Sequence, residues 1–233
     1  DNKTISSFLD NMLKIDGYEV FNLAQGGYTS FMDLFSLSAM GLYLEPNIII
    51  VMEGYADTLQ LVYQSQGGGL AWGLFSGSDK NLDPEFALGF HYQNLNTMLG
   101  LGNNLNRQVI LALQPLSGFE NNSTIENEKI KKMWSFYPRI REVMELATRN
   151  NDAKFVDLSI IFKEESNASI NFFDEAHLTV TGQEKVAKVF AKIIKSLEVR
   201  NPQRDNFSRL KEETINNILT RDFSGEYKTV EDY

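Results

Sequence analysis

Cysteine is absent from the 233 residues, which removes disulfides, thiolate metal sites and cysteine nucleophiles together. Histidine is scarce, with His91 and His177 the two present. Basic charge is in deficit: 22 Lys and Arg face 31 Asp and Glu, for a formal net charge of −9. That sign argues against a nucleic-acid binder, which normally displays a basic face, and against docking on anionic lipid by a polybasic patch. Long hydrophobic runs are missing too, and the apolar run Ile48 to Met52 is far too short to span a bilayer. What remains is ordinary globular material, 42% hydrophobic and 23% charged, long enough for one sizeable α/β domain.

Helical and strand-like periods alternate along the chain. "TISSFLDNML" places Ile5, Phe8, Leu9, Met12 and Leu13 on one helical face, with Asp1 or Asn2 as its cap. Strands are expected at "YEVFNL", "NIIIVME", "QVILALQP" and "KFVDLS". Helices are expected from Met32 to Tyr43, from about Ile125 to Asn150 with Pro138 kinking or dividing it, and after "TGQE". That last string reads as a Thr181 to Glu184 capping box, ahead of a stripe of Val186, Phe190, Ile193, Ile194 and Leu197. Strands that alternate with helices, without hairpin signals, imply a parallel sheet flanked by helices. From about residue 199 the sequence turns polar and weakly amphipathic. The expected organisation is a domain over 1–198 and an extension over 199–233, with one helix and a frayed end.

In parallel sheets, functional groups gather at the carboxyl ends of strands. Three stretches fit that rule: "NLAQGGYTS", "EGYAD" and "FFDEAH". His177 has the residue type of a general base, and Asp174, three positions earlier, can fix its tautomer if the turn folds back. A surface loop that merely contains both residues is the plainer reading of that motif alone. Gly26 or Gly27 can present a backbone N–H to an oxyanion, or can simply close a tight turn. Gly54 and Asp57 can equally end a strand and cap the next segment. The glycine-rich stretch Gln64 to Asp79, carrying Leu70, Trp72, Leu74 and Phe75, is either a lid or a loop packed on the sheet edge. His91 is expected on a helix, at the surface or partly buried, with no metal partners.

Taken in order, these stretches resemble the SGNH hydrolases, the GDSL esterase and lipase group. Gly27 matches the glycine of the family's second block, Gly54 to Asp57 its Gly-x-Asn-Asp block, and Asp174 with His177 its Asp-x-x-His block. The resemblance covers roughly residues 1–198. It implies a three-layer α/β/α sandwich with a parallel, flavodoxin-like sheet, and ester hydrolysis through an acyl-enzyme without a cofactor or metal. It implies His177 as base, Asp174 as its orienting partner and Gly27 as an oxyanion donor, with Gly54 and Asp57 supporting. The substrate implied is a small-molecule, lipid or glycan ester, with O-acyl transfer a close variant.

Two departures qualify it. Ala56 stands where the family has an oxyanion-binding asparagine, and a methyl group cannot donate. Loss of one such donor costs on the order of 100- to 1,000-fold in turnover. The family's Gly-Asp-Ser does not occur either; "GSD" at Gly77 to Asp79 has the letters in another order, and Ser30 has no precedent as nucleophile. The chain opens at Asp1 without methionine, on a helix that in the family comes after the first strand. A fragment lacking strand one and its serine is therefore expected, and a non-catalytic binding or structural protein on a degenerate scaffold is the rival.

Overall fold

The computed structural model describes residues 3–64, 83–119, 128–163, 165 and 168–197. Residues 65–79 of the glycine-rich stretch and the extension from 199 onward lie outside the described residues.

Strand β1 (Ile48–Glu53) shows how the sheet sorts its side chains, because its residues alternate between half-buried and buried. Ile48, Ile50 and Met52 pack into one apolar cluster, Ile49 and Val51 into another. Strand β2 (Gln108–Leu113) divides likewise, with Ile110 and Ala112 on one face and Val109, Leu111 and Leu113 on the other. A strand apolar on both faces needs a layer of helices on each side. One layer is α3 (Tyr55–Gln64), α4 (Pro84–Asn104) and α5 (Glu128–Arg149), which supply Leu61, Leu95, Met98, Met133, Ile140 and Met144. The other is α1 (Ile5–Leu13) and α6 (Val180–Ser196), which supply Leu9, Leu13, Val186, Phe190 and Ile194. Each such side chain contributes roughly 1.5–3 kcal/mol by leaving water.

Strand β3 (Lys154–Asp157) completes a parallel sheet of order β1-β2-β3 among the described residues. The register runs Ile48 to Gln108 through Glu53 to Leu113, and Ile110 to Lys154 through Leu113 to Asp157. All three carboxyl ends therefore share one rim. The architecture is the α/β/α sandwich expected from the sequence.

Several local expectations change. Tyr18 to Leu23 joins no strand ladder; the N–H of Val20 goes to Asp10 Oδ1 at 3.2 Å instead. Thr4, not Asp1 or Asn2, caps α1, in a reciprocal box with Ser7. Thr179 caps α6, accepting from the Gly182 N–H, so the helix starts two residues before the expected Thr181 box. Helix α2 (Ser30–Ser36) begins earlier than Met32 and continues through tighter and wider turns to Leu44. Pro138 leaves α5 a single helix.

Candidate active site

The Asp174 to His177 turn does fold back. Asp174 Oδ1 accepts the N–H groups of Ala176 and His177 at 2.9 and 2.8 Å, which leaves Oδ2 to meet His177 Nδ1 at 2.7 Å. Partial burial alone would raise the Asp174 carboxyl, but those two backbone donors and the imidazole outweigh it and hold the group below its ordinary range. The carboxylate thus fixes Nδ1, and the ring is 72% exposed, open to a reactant.

The loop is anchored at the strand ends. Ser117, just past β2, donates its N–H to Glu175 O at 2.9 Å, and Phe173 N–H donates to His177 O at 2.8 Å. Tyr55, at the start of α3, donates its hydroxyl to Glu175 Oε1 at 3.1 Å. Its ring meets the His177 ring edge-on, with centroids 6.3 Å apart and planes at 70°. The expected Gly-Tyr-Ala-Asp block therefore lies beside the Asp174–His177 pair.

Gly54 has reasons to be glycine. Its φ is +124°, and a Cβ there would come within 2.7 Å of Leu113 Cδ1 and 3.1 Å of the Tyr137 hydroxyl. Gly27 needs only the backbone freedom: its φ is +82° and a Cβ would meet nothing within 4 Å. Gly26 has neither constraint. The turn is closed by the Tyr28 N–H donating to Gln25 O at 3.3 Å, and Gly27 is exposed. Ala56 is half-buried in the first turn of α3.

Asp57 faces inward. Its Oδ2 accepts the Ser30 N–H at 3.0 Å and its Oδ1 accepts the Ser30 hydroxyl at 2.7 Å. His91 Nδ1 lies 3.0 Å from the same Oδ1. Burial pushes Asp57 up, yet attraction to His91 and the hydrogen bonds from His91 and Ser30 hold it below its ordinary value. Glu53, at the end of β1, goes the other way. Burial, the Asp33 carboxyl and the Asp57 charge push it well above its usual 4.5. Asp33 is itself raised, chiefly by burial.

Ser30 is fully buried and its proton goes to Asp57, so it is not placed to attack a substrate. His91 is buried at 2% exposure and has a carboxylate partner, neither of which its neighbours in sequence suggest. Asn94, which donates to Ser30 Oγ at 3.2 Å, had no signal in the sequence. Among the described residues, no group of three or more His, Asp or Glu side chains is placed to hold a metal, and no helix is long and apolar enough to cross a membrane.

No family model matches the sequence, and no curated protein does. Solved structures do match. An acetyl xylan esterase, AlAXEase, superposes with a TM-score of 0.62 at 15% identity, over 84% of this chain and 92% of that one. The acetylxylan esterase Axe2 from Geobacillus stearothermophilus gives 0.59 at 18% identity, over 85% and 84%. A lipase/acylhydrolase from Enterococcus faecalis gives 0.55 at 16% identity, over 84% and 88%. The chain has the SGNH/GDSL hydrolase-like fold.

Proposed function

We propose that this protein is a serine ester hydrolase of the SGNH type. The observation that carries the proposal is the 2.7 Å contact between Asp174 and the exposed His177, at the carboxyl rim of the sheet and beside the Gly54 to Asp57 block. His177, through its outward nitrogen, takes the proton of a serine hydroxyl as the oxygen attacks the ester carbonyl. Asp174 keeps the other ring nitrogen protonated and stabilises the imidazolium that forms. The Gly27 N–H holds the carbonyl oxygen as it gains charge. His177 then passes its proton to the leaving alcohol, and water repeats the sequence on the acyl-enzyme. The substrate is a carboxylic ester: a small ester, a lipid or an O-acetylated sugar. Two of the three matched proteins named above are acetylxylan esterases, which favours the sugar ester.

The nucleophile belongs to this reading as a serine on a strand N-terminal to Asp1. Two features support it: β1 pairs on one side only among the described residues, and Tyr18 to Leu23 runs without a ladder. Both would gain a hydrogen-bonding neighbour from such a strand. The test is hydrolysis of p-nitrophenyl acetate by the protein carrying the residues encoded ahead of Asp1, compared with its His177→Ala form. A rate lost with the histidine supports the hydrolase. Equal rates in the two favour the rival, a binding protein on this scaffold, to which Ala56 also points.

A further inference from the structure

Helix α4 carries none of the motif blocks, yet two of its buried side chains reach the first turns of two other helices. His91 and Asn94 lie three residues apart, hence on one face of the helix, at 2% and 5% exposure. Asn94 Nδ2 donates to Ser30 Oγ at 3.2 Å, and His91 Nδ1 lies 3.1 Å from the same oxygen and 3.0 Å from Asp57 Oδ1. Ser30 adds its own N–H and O–H to Asp57. The protons can be traced through the cluster. Ser30 gives its hydroxyl proton to the carboxylate and accepts from Asn94, while the imidazole presents Nδ1–H to the same carboxylate. Three donors end on Asp57, the Ser30 N–H and O–H and the His91 Nδ1–H, and the fourth, from Asn94, ends on Ser30.

We infer that His91 and Asn94 are positioning residues for the oxyanion-binding turn, acting through Ser30 and Asp57. Ser30 opens α2 three residues after Gly27, and Asp57 comes directly after Ala56 in the first turn of α3. The cluster therefore joins the two segments that carry the candidate oxyanion positions. A buried carboxylate that loses a donor is left undersolvated, so removing His91 should release Ser30 and, with it, the turn at Gly27. The other ring nitrogen of His91, Nε2, is buried without a hydrogen-bond partner. An asparagine, whose amide nitrogen reaches about as far as Nδ1, keeps the bond that matters and gives up one that is not made.

The inference rests on the proposed hydrolase only for its kinetic arm. In the whole protein, His91→Phe keeps the ring and removes the donor, and His91→Asn keeps the donor. Amide exchange at Ser30 should rise about tenfold or more in H91F, the Gly27 amide resonance should shift, and H91N should restore both. In turnover, kcat should fall roughly 10- to 100-fold in H91F with KM nearly unchanged, the signature of a misplaced transition-state contact. A folded H91F with wild-type exchange at Ser30 overturns the inference, and so does an H91N as damaging as H91F. If H91F fails to fold, H91N and Asn94→Leu decide by the same exchange measurement. Should His177→Ala retain full activity, the hydrolase reading fails alone, because exchange at Ser30 still judges the clamp.

Discussion

Each of the two histidines in this chain meets an aspartate through Nδ1, at 2.7 Å for His177 and 3.0 Å for His91. The first pair is local, three residues apart, with the ring 72% exposed. The second spans 34 positions in sequence and is 2% exposed. That difference decides the chemistry available to each. An exposed ring whose inner nitrogen is already held can exchange protons with a reactant through its outer one. A buried ring with no partner at Nε2 can only hold its neighbours in place.

The largest effect should be catalytic and confined to the exposed pair. His177→Ala is expected to lower kcat by about 10,000-fold or more, and Asp174→Asn by less, read as initial rates on a chromogenic ester. A comparable loss from both histidines at the chemical step would erase the distinction between them.

Stability should rank the pairs in reverse. Asp57→Ala takes the carboxylate away from the buried His91 and from the Ser30 N–H and O–H, and should cost about 3–5 kcal/mol in urea unfolding. Asp174→Ala removes a half-exposed partner and the acceptor of two backbone N–H groups, and should cost less, about 1–2 kcal/mol. Equal costs would mean that the buried pair is no more structural than the exposed one.

The exposed pair was legible in the sequence because it is local: Asp-x-x-His before a helix can be read from one short string. Strands β1 and β2 were legible for a similar reason, as β-branched, apolar runs record burial on two faces. The buried pair was not. It needs α4, a helix whose Gly89, Gly100 and Gly102 blur its period, and contacts between residues 30, 57, 91 and 94 that no sequence window contains. Gly102 is required where a Cβ would come within 2.3 Å of Val109 Cγ2, a constraint set by the sheet beneath it. The ladder expected at Tyr18 to Leu23 failed for another reason, since strand propensity forms no sheet without a neighbour to bond.

Ala56 lies beside Asp57 in the first turn of α3. If the proposed hydrolase holds and the cluster around Asp57 already fixes the Gly27 turn, Ala56→Asn should raise kcat by about 10-fold or more. No gain in the native background, with a gain only in looser variants, would mean the pocket is set elsewhere.

The smallest expected effects are in pH dependence. Asp57 is lowered, so its contribution to stability holds above its usual 3.8 and is lost as pH falls through its folded value. Glu53 is raised, so its contribution is complete below 4.5 and is lost as pH rises through its folded value. Glu53→Gln should therefore gain on the native protein in melting temperature as pH climbs above 4.5, by about 2–4 °C for each kcal/mol recovered. A constant offset at all pH values would place the buried charge elsewhere.

The close approach at Gly54 has a practical consequence for anyone reshaping this protein. Any larger residue there would have to push aside the last residue of a central strand and a phenol from the outer layer, so variant libraries should leave that codon untouched. The adjoining Tyr55 is tied by its hydroxyl to Glu175 and lies edge-on to the exposed imidazole, so a change there would loosen the loop that carries the ring.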